Sequence, residues 1–219
     1  MSNPESHGVE DYLEAIYELQ EEGERVVQAR ISRRLGVTRA SVSEQVARLQ
    51  KMRLVESNAR AITLTTHGFA VAEDAVRKHR LAERFLTDVL KMPWHLAHQE
   101  ANRFQSGITA EIEGRMLSVL GEPATCPHGN PIPGSKHAAN GAPTVRLSDA
   151  SPGDVTVVRV SERLEMNDEG LRVVVDARLV PQSEATVIEH RDGGVLVKTV
   201  SGEHLVPARV ADQLYVSAG

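Results

Sequence analysis

The chain has 219 residues, enough for one or two domains at about 100–200 residues per domain. Its net charge of −5 at pH 7 argues against a general affinity for polyanions, and its single cysteine, Cys126, excludes an internal disulfide and a cysteine-rich zinc module. No apolar run approaches the roughly 20 residues of a membrane helix, and residues 1–11 lack a basic start and an apolar stretch, so we expect a soluble, cytoplasmic protein.

The N-terminal part of the chain predicts three helices. Apolar residues recur at helical spacing over residues 10–20 and end in a polar run that contains a glycine. A second, short helix is predicted over residues 28–35, closed by Gly36, and a third begins at Thr38, a residue typical of helix N-caps. A short helix, a glycine turn and a helix that starts with small polar residues are typical of a helix-turn-helix.

This segment is also locally basic, although the whole chain is acidic. Residues 28–60 contain eight Lys or Arg against two Glu, and residues 55–64 alternate around a turn, as expected for a two-stranded wing. The features favour DNA binding, with the third helix in the major groove and arginines and hydroxyls on phosphates. A plain three-helix packing unit with solvated arginines is the alternative. The predicted DNA-binding residues are Gln28, Thr38, Arg39, Ala40, Ser41, Ser43, Glu44, Arg48 and Arg60.

Two further helical stretches follow the wing, over residues 65–90 and 94–120, separated by a Met-Pro pair. In the first, His79 and Glu83 are one helical turn apart on the same face, and His98 in the second can supply a third donor. Two His and one Glu suit a divalent ion such as Mn²⁺, Fe²⁺, Co²⁺ or Zn²⁺, although such spacing is more often a solvated helix face. The apolar stripe over residues 104–120 fits either a core or a subunit interface.

The last third of the chain predicts a small antiparallel barrel. Residues 122–153 are rich in proline and glycine and predict a turn cluster and then a flexible linker, with Cys126, His128 and His137 as loop residues. Short β-branched runs follow, with turn residues at 192–194 and 201–202. The predicted strands are 155–160, 171–175, 185–188, 195–200 and 204–207.

Five segments, in this order and spacing, resemble the diphtheria toxin repressor family of metal-dependent transcriptional regulators: EDYLEAIYELQEEG, ARISRRLGVTRASVSEQVARL, RKHRLAERFLTDVL, HQEA and HGNPIPG. The resemblance implies an α+β protein with a winged helix-turn-helix domain at 1–70, a helical dimerisation and metal-binding domain at 71–140, a linker at 141–153 and an SH3-like, FeoA-like β-barrel at 154–219. It also implies a homodimer that binds a palindromic operator, with one or two dimers per operator, and represses metal-uptake genes when Mn²⁺ or Fe²⁺ is bound. Co²⁺, Ni²⁺, Cd²⁺ and Zn²⁺ are expected to bind in vitro.

Carried over residue by residue, the resemblance implies two metal sites. His79, Glu83 and His98 match the site usually called ancillary, and the segment with Asp168 and Glu169 matches the one that lends it oxygen ligands. Asp11 and Glu14 match one half of the other site. Its other half departs from the family pattern. Asn102 stands where the family has Cys or Glu, Gln105 where it has Glu, and Ser106 where it has His.

The loss of negative charge at these three positions should weaken the second site, since an amide oxygen offsets less of the ion's desolvation. Sensing through His79, Glu83 and His98 is therefore expected. A non-haem metalloenzyme that uses the same triad is the alternative, because two His and one carboxylate with open positions also describe a catalytic iron site. No nucleophile, acid–base pair or cofactor-binding glycine loop accompanies the triad, so we expect a regulator and not an enzyme.

Overall fold

The protein is described here from a computed structural model that covers residues 8–58, 60–135 and 143–218. The chain divides into two compact units, Met1–Lys78 and His79–Gly219. Within the described ranges, no helix is both long and apolar enough to cross a membrane.

The first unit is the predicted winged helix-turn-helix. Apolar side chains of its first three helices form one core, to which the two wing strands contribute Val55 and Ile62. The wing strands pair antiparallel, with Val55 opposite Leu64. The elements are α1 (Val9–Glu21), α2 (Gln28–Leu35), α3 (Arg39–Lys51), β1 (Val55–Ser57), β2 (Ile62–Leu64) and the beginning of α4 (Thr66–Asp88).

The turn between α2 and α3 follows from its sequence. Gly36 has φ +66°, a left-handed conformation that glycine adopts at no steric cost. Two residues later, the Thr38 side chain accepts a hydrogen bond of 3.1 Å from the Ser41 amide and caps α3. The capping fixes the start of the helix that was predicted to read DNA.

The second unit begins with the C-terminal part of α4, followed by α5 (Ala97–Phe104) and α6 (Ala110–Leu120). The prediction of one helix over residues 94–120 was wrong, because a 3-10 turn, Gln105–Gly107, separates α5 from α6. Ser106 and Gly107 are weak helix formers, and Thr109 caps a new helix by accepting a hydrogen bond from the Ile112 amide at 3.4 Å.

The rest of the second unit is a six-stranded antiparallel sheet with the order β3-β8-β4-β5-β6-β7 and three short helices. Four of the five predicted strands are present, whereas residues 171–175 lie in a helix. The strands are β3 (Val145–Arg146), β4 (Gly153–Val160), β5 (Glu184–Arg191), β6 (Gly194–Thr199), β7 (Gly202–Pro207) and β8 (Leu214–Ala218), and the helices are α7 (Glu162–Glu165), α8 (Asp168–Asp176) and α9 (Ala208–Ala211).

The loop after α6 packs against β4, which places its side chains. The Val160 amide donates to the His128 carbonyl at 2.9 Å, and the Asn130 side chain donates to the Val160 carbonyl at 3.0 Å. Gly129 lies so close to β4 that a Cβ atom would come within 2.1 Å of the Val158 carbonyl oxygen. The predicted flexible linker falls partly, and His137 wholly, outside the described residues.

Candidate metal centre and DNA-binding element

Three predicted donor side chains converge on one buried point in the second unit. His79 and Glu83 lie one turn apart on α4, and His98 reaches them from α5. The His79 Nε2 atom lies 3.1 Å from Glu83 Oε1 and 3.1 Å from His98 Nδ1, and His98 Nδ1 lies 3.2 Å from Glu83 Oε1. The residues are 3%, 0% and 8% exposed, so they do not form the solvated helix face that the spacing alone also allowed.

Four more side chains that the sequence analysis left out of the site extend this triad. Cys126 and His128 are loop residues, as expected, but both are completely buried. His128 Nδ1 lies 3.4 Å from Glu83 Oε2 and 3.1 Å from Glu165 Oε2. Glu165 Oε2 also lies 3.2 Å from His98 Nδ1. We call the seven residues the buried cluster: His79, Glu83, His98, Cys126, His128, Glu162 and Glu165.

The ionisable groups of the buried cluster shift one another's pKa. Burial raises the pKa of the Glu83 carboxyl, but the positive charges of His128 and His79 outweigh burial and hold the pKa well below its usual value. Burial lowers the pKa of His98, yet its contacts with Glu165 and Glu83 raise the pKa well above the ordinary imidazole value. The histidines thus favour an ionised Glu83 in a buried position, as a bound cation would.

The donor atoms fit a divalent ion. Metal–ligand bonds of about 2.1 Å place neighbouring donors about 3.0–3.4 Å apart, which matches the spacings in the triad. Within the described part of the chain, four buried atoms of the cluster make no hydrogen bond of good geometry: Glu83 Oε2, His128 Nδ1, Glu162 Oε2 and Glu165 Oε2. Buried polar atoms without partners are costly unless a ligand satisfies them. Imidazole and carboxylate donors suit Mn²⁺, Fe²⁺, Co²⁺ and Zn²⁺.

Two family models match most of the N-terminal two thirds of the chain. Residues 6–61 match the iron dependent repressor N-terminal DNA binding domain, and residues 65–134 match the iron dependent repressor metal binding and dimerisation domain. The iron-dependent repressor IdeR of Mycobacterium tuberculosis is 37% identical over 199 residues, covering 86% of each chain. The chain belongs to the iron-dependent repressor family. It is a metal-dependent transcriptional repressor, as the sequence predicted.

Other relatives agree with this assignment. The diphtheria toxin repressor of Corynebacterium diphtheriae is 35% identical over 195 residues, covering 85% of this chain and 86% of the relative. A manganese-dependent transcriptional repressor solved in complex with manganese superposes with a TM-score of 0.84 at 29% identity, over 97% of this chain and 100% of that one. T. acidophilum IdeR superposes with a TM-score of 0.80 at 28% identity, over 98% and 99% of the two chains. The three-part fold predicted from the resemblance is thus confirmed.

Two residues of the repressor hold the buried cluster in place without belonging to it. Gln105, predicted as a ligand of the second site, accepts a hydrogen bond from His79 Nδ1 at 2.7 Å. Because a carbonyl oxygen only accepts, His79 Nδ1 donates to Gln105, which leaves Nε2, beside Glu83, as the nitrogen that a cation can bind in place of a proton. Arg80 is fully buried and donates to Glu162 Oε1 from both Nη2, at 2.9 Å, and Nε, at 3.2 Å. The charge of Arg80 lowers the pKa of the buried Glu162 against the effect of burial, which raises it.

The oxygen ligands predicted from the C-terminal domain lie elsewhere. Asp168 and Glu169 are exposed at the start of α8, where Asp168 accepts from Gln99 at 3.4 Å and Glu169 pairs with Arg209 at 2.7 Å. Glu162 and Glu165, on α7, occupy the buried cluster instead. Glu162 and Glu165 are three residues apart directly after Ser161, which caps the helix, so the sequence itself places both carboxylates on one helix face.

The second predicted metal site remains a prediction. Asp11 and Glu14 lie on α1 in the first unit, where Asp11 Oδ2 accepts a hydrogen bond of 2.7 Å from the Gly8 amide. Asn102 is exposed at the end of α5, and Ser106 is exposed in the 3-10 turn that follows.

In the winged helix, the predicted DNA-binding side chains lie at the surface. Gln28 and Ser41 are half-buried, and the others are exposed: Thr38, Arg39, Ala40, Ser43, Glu44, Arg48 and Arg60. One arginine counted in the basic segment has another role. Arg34 is buried and pairs with Glu18 at 3.0 Å and Glu22 at 2.7 Å. The basic charge that faces solvent is therefore smaller than the sequence count indicated.

Proposed function

We propose that this repressor controls metal-uptake genes by binding a palindromic operator as a homodimer when Mn²⁺ or Fe²⁺ occupies the buried cluster. The observation that carries the proposal is the convergence of His79, Glu83 and His98, at 3.1–3.2 Å, on the helix pair α4 and α5. An ion held there would join the two helices, because each contributes donors. Two imidazoles and carboxylates favour a borderline divalent ion.

Burial of the triad supports a regulatory metal over a catalytic one. A catalytic iron or zinc site keeps an open position that substrate can reach. The three donors are 3%, 0% and 8% exposed, and the other side chains that face them are carboxylates, a thiol and an imidazole of the same chain. We therefore infer that the chain is not a metalloenzyme and that its metal has no catalytic task.

The exposed start of α3 supports sequence reading in the major groove. Thr38, Arg39, Ala40 and Glu44 are proposed to contact base edges, since residues at the start of a recognition helix reach them. The proposed phosphate contacts are Gln28, Ser41, Ser43, Arg48 and Arg60. Because its target is the chromosome, we infer that the protein acts in the cytoplasm.

Exposed apolar side chains on α5 and α6 support a dimer. Phe104, Ile112 and Val119 are 39%, 41% and 64% exposed, whereas Ile108 and Met116 of the same stripe are buried in the helical core. One side of the stripe thus packs in the core, and we propose that its exposed side forms the subunit interface, so both roles that the sequence left open apply. A two-fold dimer presents two recognition helices to a palindrome about 34 Å apart, and we propose one or two dimers per operator.

The test is operator affinity with and without metal. Fluorescently labelled promoter fragments of the metal-transport genes of the source genome are titrated with the protein in chelator, in Mn²⁺ and, without oxygen, in Fe²⁺. We expect metal to raise affinity about 5- to 150-fold, the usual range of coupling between two sites. Equal affinity in chelator and in both metals would refute the proposal. A scrambled fragment of the same length is the control for sequence-independent binding.

A further inference from the structure

We propose that Glu44 sets the base specificity of the repressor by selecting a cytosine in each half of its operator. This assignment rests on the proposed function, which places the start of α3 in the major groove. Beyond that function, the chemistry of a carboxylate identifies the base that is read and the substitution that would change it.

Glu44 lies on the face of α3 that points away from the core of the winged helix. The core side of this helix consists of three buried residues, Val42, Val46 and Leu49. At about 3.6 residues per helical turn, Ala40, Glu44 and Ala47 fall on the opposite side. All three are exposed, so a duplex that docks along the start of α3 contacts this face.

The neighbours of Glu44 on this face are small. Ala40 and Ala47, one turn before it and one turn after it, end in a methyl group, so they leave room for the helix to approach the base edges. The long cationic side chains of Arg39 and Arg48 lie on either side of the face, where the phosphates of the two strands run. Glu44 is therefore the polar side chain at the centre of the surface that meets the bases.

The Glu44 carboxylate has both oxygens available for hydrogen bonds. In the part of the chain that the structure describes, it forms no ion pair and no side-chain hydrogen bond, and Arg48, one turn further on, does not pair with it. Beside DNA, a carboxylate is repelled by the phosphates and loses hydrogen bonds to water. A base that donates hydrogen bonds to Glu44 offsets these costs, whereas a base that only accepts adds to them.

Two bases donate hydrogen bonds in the major groove, and a carboxylate distinguishes them. Adenine presents its N6 amino group beside the acceptor N7, whereas cytosine presents its N4 amino group with no acceptor beside it on the same base. An ionised carboxylate only accepts, so adenine N7 repels one of its oxygens and cytosine is favoured. A glutamine has an acceptor and a donor, which match N6 and N7 of adenine. Glu44→Gln should therefore change the preferred base from cytosine to adenine.

The experiment is a selection of binding sequences from random double-stranded DNA by the full-length protein in Mn²⁺. We expect the wild type to select C·G at one symmetric pair of positions and Glu44→Gln to select A·T at the same pair, with the other positions unchanged. In the selected operator, replacing that C·G by A·T should lower wild-type affinity about 5- to 150-fold, the usual effect of one mismatched base pair. Glu44→Ala should lose the preference without gaining another. Glu203→Gln removes an exposed carboxylate from β7 and should select as the wild type does.

Two results would overturn the inference. One is a Glu44→Gln variant that selects the wild-type sequence, which would mean that the carboxylate contacts no base. The other is a change in Glu44→Gln at positions where the wild type does not select cytosine. Glu44 is exposed, so its replacement should leave the fold intact, and circular dichroism checks each variant. Failure of the proposed function looks different, because the same sequences would then be selected equally well in chelator and in Mn²⁺, whichever base faces Glu44.

Discussion

At the scale of single residues, the hydrogen bond between His79 and Gln105 predicts that the Gln105 amide orients a metal ligand. The family resemblance implied a carboxylate at this position. Gln105→Leu removes the acceptor, so the His79 ring loses its fixed tautomer. We expect the triad's affinity for Mn²⁺ to fall about 10- to 100-fold, the usual effect of losing such a partner. The affinity is measured by competition with a chromophoric chelator, in an Asp11→Ala background that removes the second predicted site.

Two variants control this prediction. Gln105→Glu keeps an acceptor for His79 and should retain most of the affinity, and Gln99→Leu changes an exposed glutamine of α5 and should have no effect. Unchanged Mn²⁺ affinity in Gln105→Leu would show that the hydrogen bond of 2.7 Å does not orient the ligand.

The candidate site was predictable only where its geometry is local. His79 and Glu83 are one turn apart in any helix, so the sequence alone places them together. Cys126 and His128 join them because Asn130 and Gly129 pack the loop against β4, and that packing depends on residues about 30 positions away. The spacing of residues within a loop carries no such information.

At the scale of secondary-structure elements, the buried Arg34 predicts a large effect on stability. Its guanidinium pairs with Glu18 and Glu22, whose side chains are 12% and 5% exposed. Arg34→Ala removes the guanidinium that pairs with both carboxylates, and breaking a buried ion pair in this way costs about 3–5 kcal/mol of unfolding free energy. Urea unfolding followed by circular dichroism measures the loss. The exposed neighbour Arg33→Ala should change stability by less than about 0.5 kcal/mol, and equal effects of the two substitutions would contradict the assignment.

The wing carries a separate prediction about DNA. Arg60 is exposed beside Asn58, whose side chain accepts hydrogen bonds from the Arg60 and Ala61 amides and shapes the wing turn. Arg60→Ala should weaken binding to all sequences alike and reduce the slope of log affinity against log salt by about 1, because one phosphate contact is lost. Titrations at several salt concentrations, with Arg172→Ala as the control, measure the slope. A changed sequence preference would mean that the wing reads bases.

Helices and strands were predictable where the apolar residues follow one clear period, helical or alternating, and were less predictable elsewhere. The run Leu-Arg-Val-Val-Val at 171–175 has β-branched residues that favour a strand, yet it lies in α8. Leu171 and Val174 are buried three residues apart, and Asn167 caps the helix by accepting from the Gly170 amide at 3.0 Å. In so short a run tertiary packing outweighs propensity, although the cap was visible in the sequence.

At the scale of the whole molecule, the exposed side of the α5–α6 stripe predicts the dimer contact. Ile112→Glu places a charge at the centre of this surface, where it would be buried in the dimer without a partner. We expect the variant to sediment as a monomer at micromolar concentration, where the wild type is a dimer. Val200→Glu changes a residue that is 93% exposed in the turn between β6 and β7, and this variant should remain dimeric. A dimeric Ile112→Glu variant would place the interface elsewhere.

The relative importance of the triad and of the predicted site at Asp11 and Glu14 is also a property of the whole molecule. Metal bound to the triad in the second unit must change DNA binding by the first unit. A ligand shifts a conformational equilibrium only by its differential affinity for the two states. Asn102, Gln105 and Ser106 leave the second site with fewer charged donors, whereas the triad keeps all of its own. We therefore expect His79→Ala and His98→Ala to abolish the metal-dependent gain in operator affinity, and Asp11→Ala and Glu14→Ala to reduce it less. Mn²⁺ titrations of each variant, followed by operator binding, decide the order; a larger loss for Asp11→Ala than for His79→Ala would show that the second site is the one that activates.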